Sequence, residues 1–125
     1  MQDSEGKKHF METLGNIPEP IRAMAEYQPE VFEGYVRMRK AIYGETQTPN
    51  LDLKTKELLY VVLDIVTGNL DGAKNHLQAG MKAGLTVGEL SDACMQVMHV
   101  CGITTWGKTG WKVVDYAKEI EQGKA

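Results

Sequence analysis

Two residues of this chain have side chains suited to moving a proton and a setting that could shelter them from water: Glu57 and His76. Glu57 stands near the start of an apolar segment, Leu53 to Val66, and His76 lies inside the next segment, with Thr67-Gly68-Asn69 reading as a turn between them. A carboxylate held beside an imidazole raises the ring's affinity for a proton, while partial burial lowers it, so such a pair can be poised near neutrality. General acid–base chemistry needs that balance. Each residue also has an ordinary explanation. A first-turn acid is favoured by the helix dipole, and a packed histidine can serve by bonding a backbone carbonyl.

The segments that would position the pair read as helices. Leu58, Leu59, Val61, Val62, Leu63, Ile65 and Val66 cover most of the first one's circumference, the pattern of a helix surrounded by other protein. One stripe departs from it: Glu57, Tyr60, Asp64 and Thr67, at helical spacing. Gly68 suits a left-handed helix end and Asn69 a cap for the next helix. There Leu70, Leu77 and Met81 would face inward and Asp71, Asn75, Gln78 and Lys82 outward. His76 falls on a flank with Gly72, Ala73, Ala79, Gly80 and Ala83, small residues that let another backbone come close. Tyr60, Asp64, Asn69 and Gly72 are therefore candidates to line a pocket around the pair.

The rest of the chain follows the same period. Residues 1–15 are polar apart from Phe10, Met11 and Leu14, a tail or a short docking helix. Asn16 with Glu19 suggests a capped helix start, with Ile21, Met24 and Ala25 inward. Pro29 opens a helix whose inner face would be Val31, Phe32, Tyr35, Met38, Ala41 and Ile42, closed by Gly44. Asp52 can cap the helix at Leu53. Gly84 ends the histidine helix, and Thr86-Val87-Gly88-Glu89 is a capping box. The following helix puts Val87, Leu90, Ala93, Cys94, Val97, Met98 and Cys101 on one face, with His99 on the polar side. A last helix, from about Trp106 to Gln122, would bury Trp106, Val113, Tyr116, Ala117 and Ile120 and turn Trp111 and Val114 outward. That surplus apolar surface points to a homo-oligomer. The expected architecture is all-α, an antiparallel helical bundle of about six helices forming one domain over 1–125, with 53–103 at its centre.

Bulk properties bound the function. A net charge of −3 and a pI near 5.6 argue against nucleic acid or an anionic membrane as the main partner. No run of about 18 apolar residues exists to span a bilayer. The first residues lack the apolar centre of a secretory signal, so the expected location is the cytoplasm. Two cysteines give no disulfide framework.

Other constellations carry less. Gly102-Ile103-Thr104-Thr105-Trp106-Gly107-Lys108-Thr109 matches the phosphate-loop pattern G-x-x-x-x-G-K-[ST], but the loop needs a parallel sheet around it and the flanking periodicity is helical. Cys94 and Cys101 lie two turns apart, about 10 Å along one helix, too far to bridge. Cys94 remains a candidate for a pocket wall. Arg37 and Arg39 could present a fork to a carboxylate, Arg39 being the pocket candidate of the two. No ligand pair at helical spacing supports a metal site built on Glu57, His76 and His99.

Lys54-x-Lys56-Glu57-Leu58-Leu59, then His76-x-x-Ala79-Gly80-x-x-Ala83-Gly84-Leu85-Thr86-x-x-Glu89-Leu90, resembles the carboxymuconolactone decarboxylase family, whose superfamily includes the alkylhydroperoxidase D-like proteins. The likeness covers roughly Tyr35 to Val114. It implies that Glu57 and His76 match the relay glutamate and histidine of the redox branch. The two cysteines of that branch's C-x-x-C fall at Asn69 and Gly72 here, so dithiol chemistry is gone. The resemblance then implies the decarboxylase side: no metal, no cofactor, and proton transfer on a small carboxylated lactone or related acid. His76 would move the proton and Glu57 orient it, with Tyr60 or Asp64 assisting. The decarboxylases' aromatic-x-G-x-P segment reads Val100-Cys101-Gly102-Ile103-Thr104 in this chain, without Tyr or Pro. Family likeness also implies a homo-trimer or homo-hexamer. A thiol-dependent oxidoreductase using Cys94 and a non-catalytic binding or scaffold subunit are the alternatives.

Overall fold

The computed structural model describes residues 2–125, with side chains from residue 5 onward. Its described residues are helical throughout, with no strand. They divide into two compact units, the first ending at Leu51 and the second spanning Asp52–Ala125.

The first unit holds α1 (Gln2–Leu14), α2 (Glu19–Tyr27) and α3 (Pro29–Ile42). The N-terminal stretch is a docked helix rather than a tail, because three side chains anchor it: His9, Phe10 and Leu14 are all buried. The Phe10 ring stacks on Phe32 and on Tyr35, each at 6.3 Å between centroids. A Cβ on Gly6 would lie 2.5 Å from the Phe32 ring, so only glycine lets α1 settle this closely on α3. The face α3 turns inward keeps Phe32 and, half-buried, Tyr35 from the expected set but adds Val36 and Arg39, while Val31, Met38 and Ile42 are exposed. The buried set is spaced i, i+4, i+7 because it must meet α1 along one stripe. Nor does Asn16 cap α2: Pro18 occupies the cap, Glu19 is the first helical residue, and Asn16 Nδ2 donates back to the Leu14 carbonyl. No residue of α2 is fully buried.

Arg39 is enclosed here. Its guanidinium sits 4.3 Å over the Phe10 ring and 5.0 Å over that of Tyr43, with Nη2 donating to Thr13 Oγ1 at 3.3 Å. A fork spent on aromatic faces is a packing element.

The second unit holds α4 (Leu53–Thr67), α5 (Leu70–Lys82), α6 (Val87–Cys101), a short turn α7 (Ile103–Thr105), a π-helical turn (Trp106–Gly110) and α8 (Trp111–Glu121). The expected local signals are in place. Asp52 accepts from the Thr55 N–H, Gly68 takes φ +76°, Asn69 caps α5 through Gly72 N, and Thr86 with Glu89 forms a reciprocal capping box. Val61, Ile65, Leu77, Leu90, Cys94 and Val113 are the centre of the core. Four expectations change. Leu59, Leu63 and Val66 leave an apolar stripe of α4 exposed. Cys101 is exposed rather than paired with Cys94 on the buried face. Val114 packs against the core, while Trp111 does stay outside at 42% exposure. The last helix is interrupted by the π turn, where a Cβ on Gly110 would lie 3.2 Å from the Trp106 ring. The residues matching a phosphate loop are thus helical turns with no preceding strand among the described residues.

One titration is built into the first unit. His9 is buried, its Nδ1–H donates to Glu45 Oε2 at 3.0 Å, and its Nε2 has no hydrogen-bond partner among the described residues. Burial, and then the nearby Arg39 charge, hold its pKa below 6.5 against the pull of Glu45. A lowered folded pKa means that the unfolded chain takes up the proton first. Stability of this unit is therefore complete above 6.5 and falls as pH drops below it, by up to tenfold in the unfolding constant per pH unit. Amide exchange in α1, compared between the native chain and His9→Gln from pH 7 to 5, should show that dependence only with the histidine.

Candidate active site

Glu57 and His76 meet across the α4–α5 contact. The two helices run antiparallel, so positions later in α4 face positions earlier in α5, and three contacts fix the register. A Cβ on Gly80 would lie 3.2 Å from Glu57 Cβ. The Tyr60 ring stacks on the His76 ring, 4.2 Å between centroids at 22°. A Cβ on Gly72 would lie 2.8 Å from Asp64 Oδ2. The small residues expected on the α5 flank are thus required at 72 and 80, where α4 side chains occupy the space a larger residue would take.

Within that contact His76 Nδ1–H donates to Glu57 Oε1 at 2.7 Å. A short bond of this kind between a ring nitrogen and a carboxyl oxygen is charge-assisted. Glu57 is sealed, its side chain 1% exposed, whereas His76 keeps 12%. A first-turn acid in solvent, the ordinary explanation for Glu57, is thereby excluded. The glutamate fixes the ring's tautomer and orientation, leaving Nε2 as the nitrogen able to accept or give a proton. Protons enter this pair through the ring or its neighbours, since the carboxylate itself has no path to water.

Asp64 and Asn69 meet α5 at Gly72, one turn before His76 in the chain. Asn69 Oδ1 accepts from Gly72 N at 3.1 Å as the cap of α5, and its Nδ2 donates to Asp64 Oδ1 at 3.5 Å. Burial raises the Asp64 pKa, opposed by the His76 charge and the Asn69 hydrogen bond. Among the expected site residues, Glu57, Tyr60, Asp64, Asn69, Gly72 and His76 are therefore brought together. Arg39 belongs to the aromatic cluster of the first unit. Cys94 lies in the core, where burial pushes its thiol up to about 11. Sequence reasoning passed over His9, the other buried histidine, which a run of polar residues around it disguised.

The family model for carboxymuconolactone decarboxylases matches residues 29–113. The chain belongs to that family. A crystal structure from Burkholderia xenovorans LB400, provisionally named a carboxymuconolactone decarboxylase, is similar over 98% of this chain and 92% of its own, with 38% identity and a TM-score of 0.91. Among curated proteins there is no match. The matched family segment contains both α4 and α5, hence every residue of the Glu57–His76 contact. This member of the family has Asn69 and Gly72 where a dithiol would stand, and they serve as a helix cap and a gap for Asp64.

The two thiols should separate cleanly in reactivity. At pH 8 a maleimide should modify the exposed Cys101 in the native chain and leave Cys94 untouched until denaturant is added, because only a thiolate attacks and Cys94 is held protonated. Mass spectrometry of peptides from native and unfolded samples reads this directly.

Proposed function

We propose that this chain is a cytoplasmic, cofactor-free acid–base enzyme acting on a small organic acid or lactone, in the manner of a decarboxylase. The observation that carries the reading is the sealed Glu57–His76 pair with Tyr60 stacked on its ring. Membership of the family supports it, as does the absence of a dithiol at 69 and 72. Among the described residues no helix is long and apolar enough to cross a membrane.

In the proposed step the carbon–carboxylate bond of the substrate breaks and carbon dioxide leaves. The electron pair stays on the α-carbon, spread onto the adjoining carbonyl as an enolate. The imidazolium of His76 then gives its Nε2 proton to that carbon. Glu57 holds the ring at Nδ1 throughout, so that the nitrogen facing substrate is always the same one. Each turnover consumes one proton, which solvent must return to the ring. Tyr60 covers one ring face and limits how the imidazole can turn. Cys94 plays no part, since a thiol with a pKa of about 11 is not a nucleophile near neutrality.

The working assembly is proposed to be a homo-trimer or homo-hexamer. Leu59, Leu63 and Val66 on α4, with Val100, Ile103 and Trp111, expose more apolar surface than an isolated 13.9 kDa chain needs.

His76→Gln should lower carbon dioxide release from small carboxylated lactones by about 10²–10⁴-fold, the usual weight of a general acid–base group. Its circular dichroism and its mass in solution should match those of the native protein. Native-like turnover in that variant would remove the enzyme reading.

A further inference from the structure

The proposed reaction takes one proton from His76 in every cycle, and the partner that orients the ring cannot supply it. Glu57 is 1% exposed at its side chain and lies beneath the imidazole, closed off where α4 and α5 touch at Gly80. Apart from the ring's own 12% exposure, the side left for a proton to arrive from is the opposite direction along the same helix contact. One further carboxyl group stands there. Asp64 is the position of α4 one turn after Tyr60, and it reaches α5 one turn before His76, at Gly72.

The placement of Asp64 is specific. Its Oδ2 lies 2.8 Å from where a Cβ on Gly72 would be, and Asn69 Nδ2 lies 2.5 Å from the same point. The Asp64 carboxyl and the Asn69 amide thus fill the space that glycine leaves open, with the amide donating to the carboxyl at 3.5 Å. Asn69 in turn is pinned by its bond from Gly72 N at 3.1 Å. Asp64 is half-buried, not sealed. The titratable group that acts on it electrostatically is His76 from α5; Lys108 of the π turn lies against Gly68, its Nζ 3.5 Å from where a Cβ there would be.

From this geometry we propose that Asp64 is the proton port of the site: a carboxyl set over the first turn of α5, in the gap left by Gly72, that returns protons from water to His76 while Glu57 holds the ring from below. The balance is simple. The Asp64 carboxylate takes a proton from water or buffer and passes it by way of a water molecule to the imidazole, returning to its starting charge, with no redox change. Its raised pKa brings it closer to that of an imidazole, which eases transfer in both directions. Asp64 acts through His76 and is a positioning and relay residue. The inference rests on the reading of His76 and Glu57 given above.

The test needs no substrate. In the full-length chain carrying ¹⁵N-histidine, NMR measures how fast the His76 ring proton exchanges with water at fixed pH. Asp64→Asn should slow that exchange by about tenfold or more, and added acetate, a small diffusible carboxylic acid, should restore it. Gly72→Ala, whose new methyl group claims the space of the carboxyl, should slow it in the same direction while keeping the helix. Exchange in Asp64→Asn equal to that of the native chain, or slowed without recovery in acetate, overturns the proposal. The ring nitrogen shifts judge the underlying pair separately. If the native chain shows no Nδ1–H form, or Glu57→Gln leaves that form unchanged, the His76–Glu57 reading falls and the port with it.

Discussion

Everything in the second unit is arranged around one short bond in a dry place, His76 Nδ1–H to Glu57 Oε1 at 2.7 Å. A carboxylate removed from water is costly unless a partner and further hydrogen bonds offset the loss. The sequence meets that cost with the whole α4–α5 contact. Glycine at 80 brings the helix axes close enough for the ring to reach the acid, and the Tyr60 ring closes over the imidazole. Asp52 and Asn69 cap the two helices, and Gly68 turns the chain between them in a left-handed conformation. Leu77, Val61 and Ile65 then bury the seam on its core side. Each of these features helps hold the ring against the acid.

The same economy of small residues shapes the start of α5. Positions 69 and 72 sit at the N-terminus of α5, where backbone N–H groups and the helix dipole favour negative charge. In this chain they hold an amide and a gap, and an acid from α4 leans into the gap. The site is therefore an imidazole with a sealed carboxyl on one side and a more open one on the other. That arrangement fits the proton chemistry proposed above. The buried Cys94 agrees with it, since its surroundings raise the thiol pKa where a reactive thiol would need it lowered.

Much of this was legible from residue types and spacing, and apart from the Asn16 cap the failures share a cause. Caps and breaks at Asp52, Gly68, Asn69, Gly84 and Thr86–Glu89 are local chemistry, so sequence places them well. The Glu57–His76 pairing could be read because one antiparallel turn, marked by Gly68-Asn69, sets the register. What sequence could not settle was which face of a helix meets which neighbour. The inner face of α3 is chosen by the Phe10 ring and by an arginine that periodicity alone counts as polar. Cys101 follows the same heptad as Cys94, yet it lies at the last residue of α6, where it is exposed. The π turn is likewise invisible to a search for helical periods. It inserts a residue for the sake of packing between Trp106 and Gly110.

The central claim, that Glu57 and His76 form one coupled unit in a sheltered contact, is tested most directly by a double-mutant cycle on folding stability. Urea unfolding of the native chain, Glu57→Gln, His76→Gln and the double variant gives the coupling free energy. The account predicts coupling of about 1–3 kcal/mol, as for neighbours sharing a buried polar bond. Effects that simply add, to within about 0.5 kcal/mol, would mean the two side chains do not work as a pair.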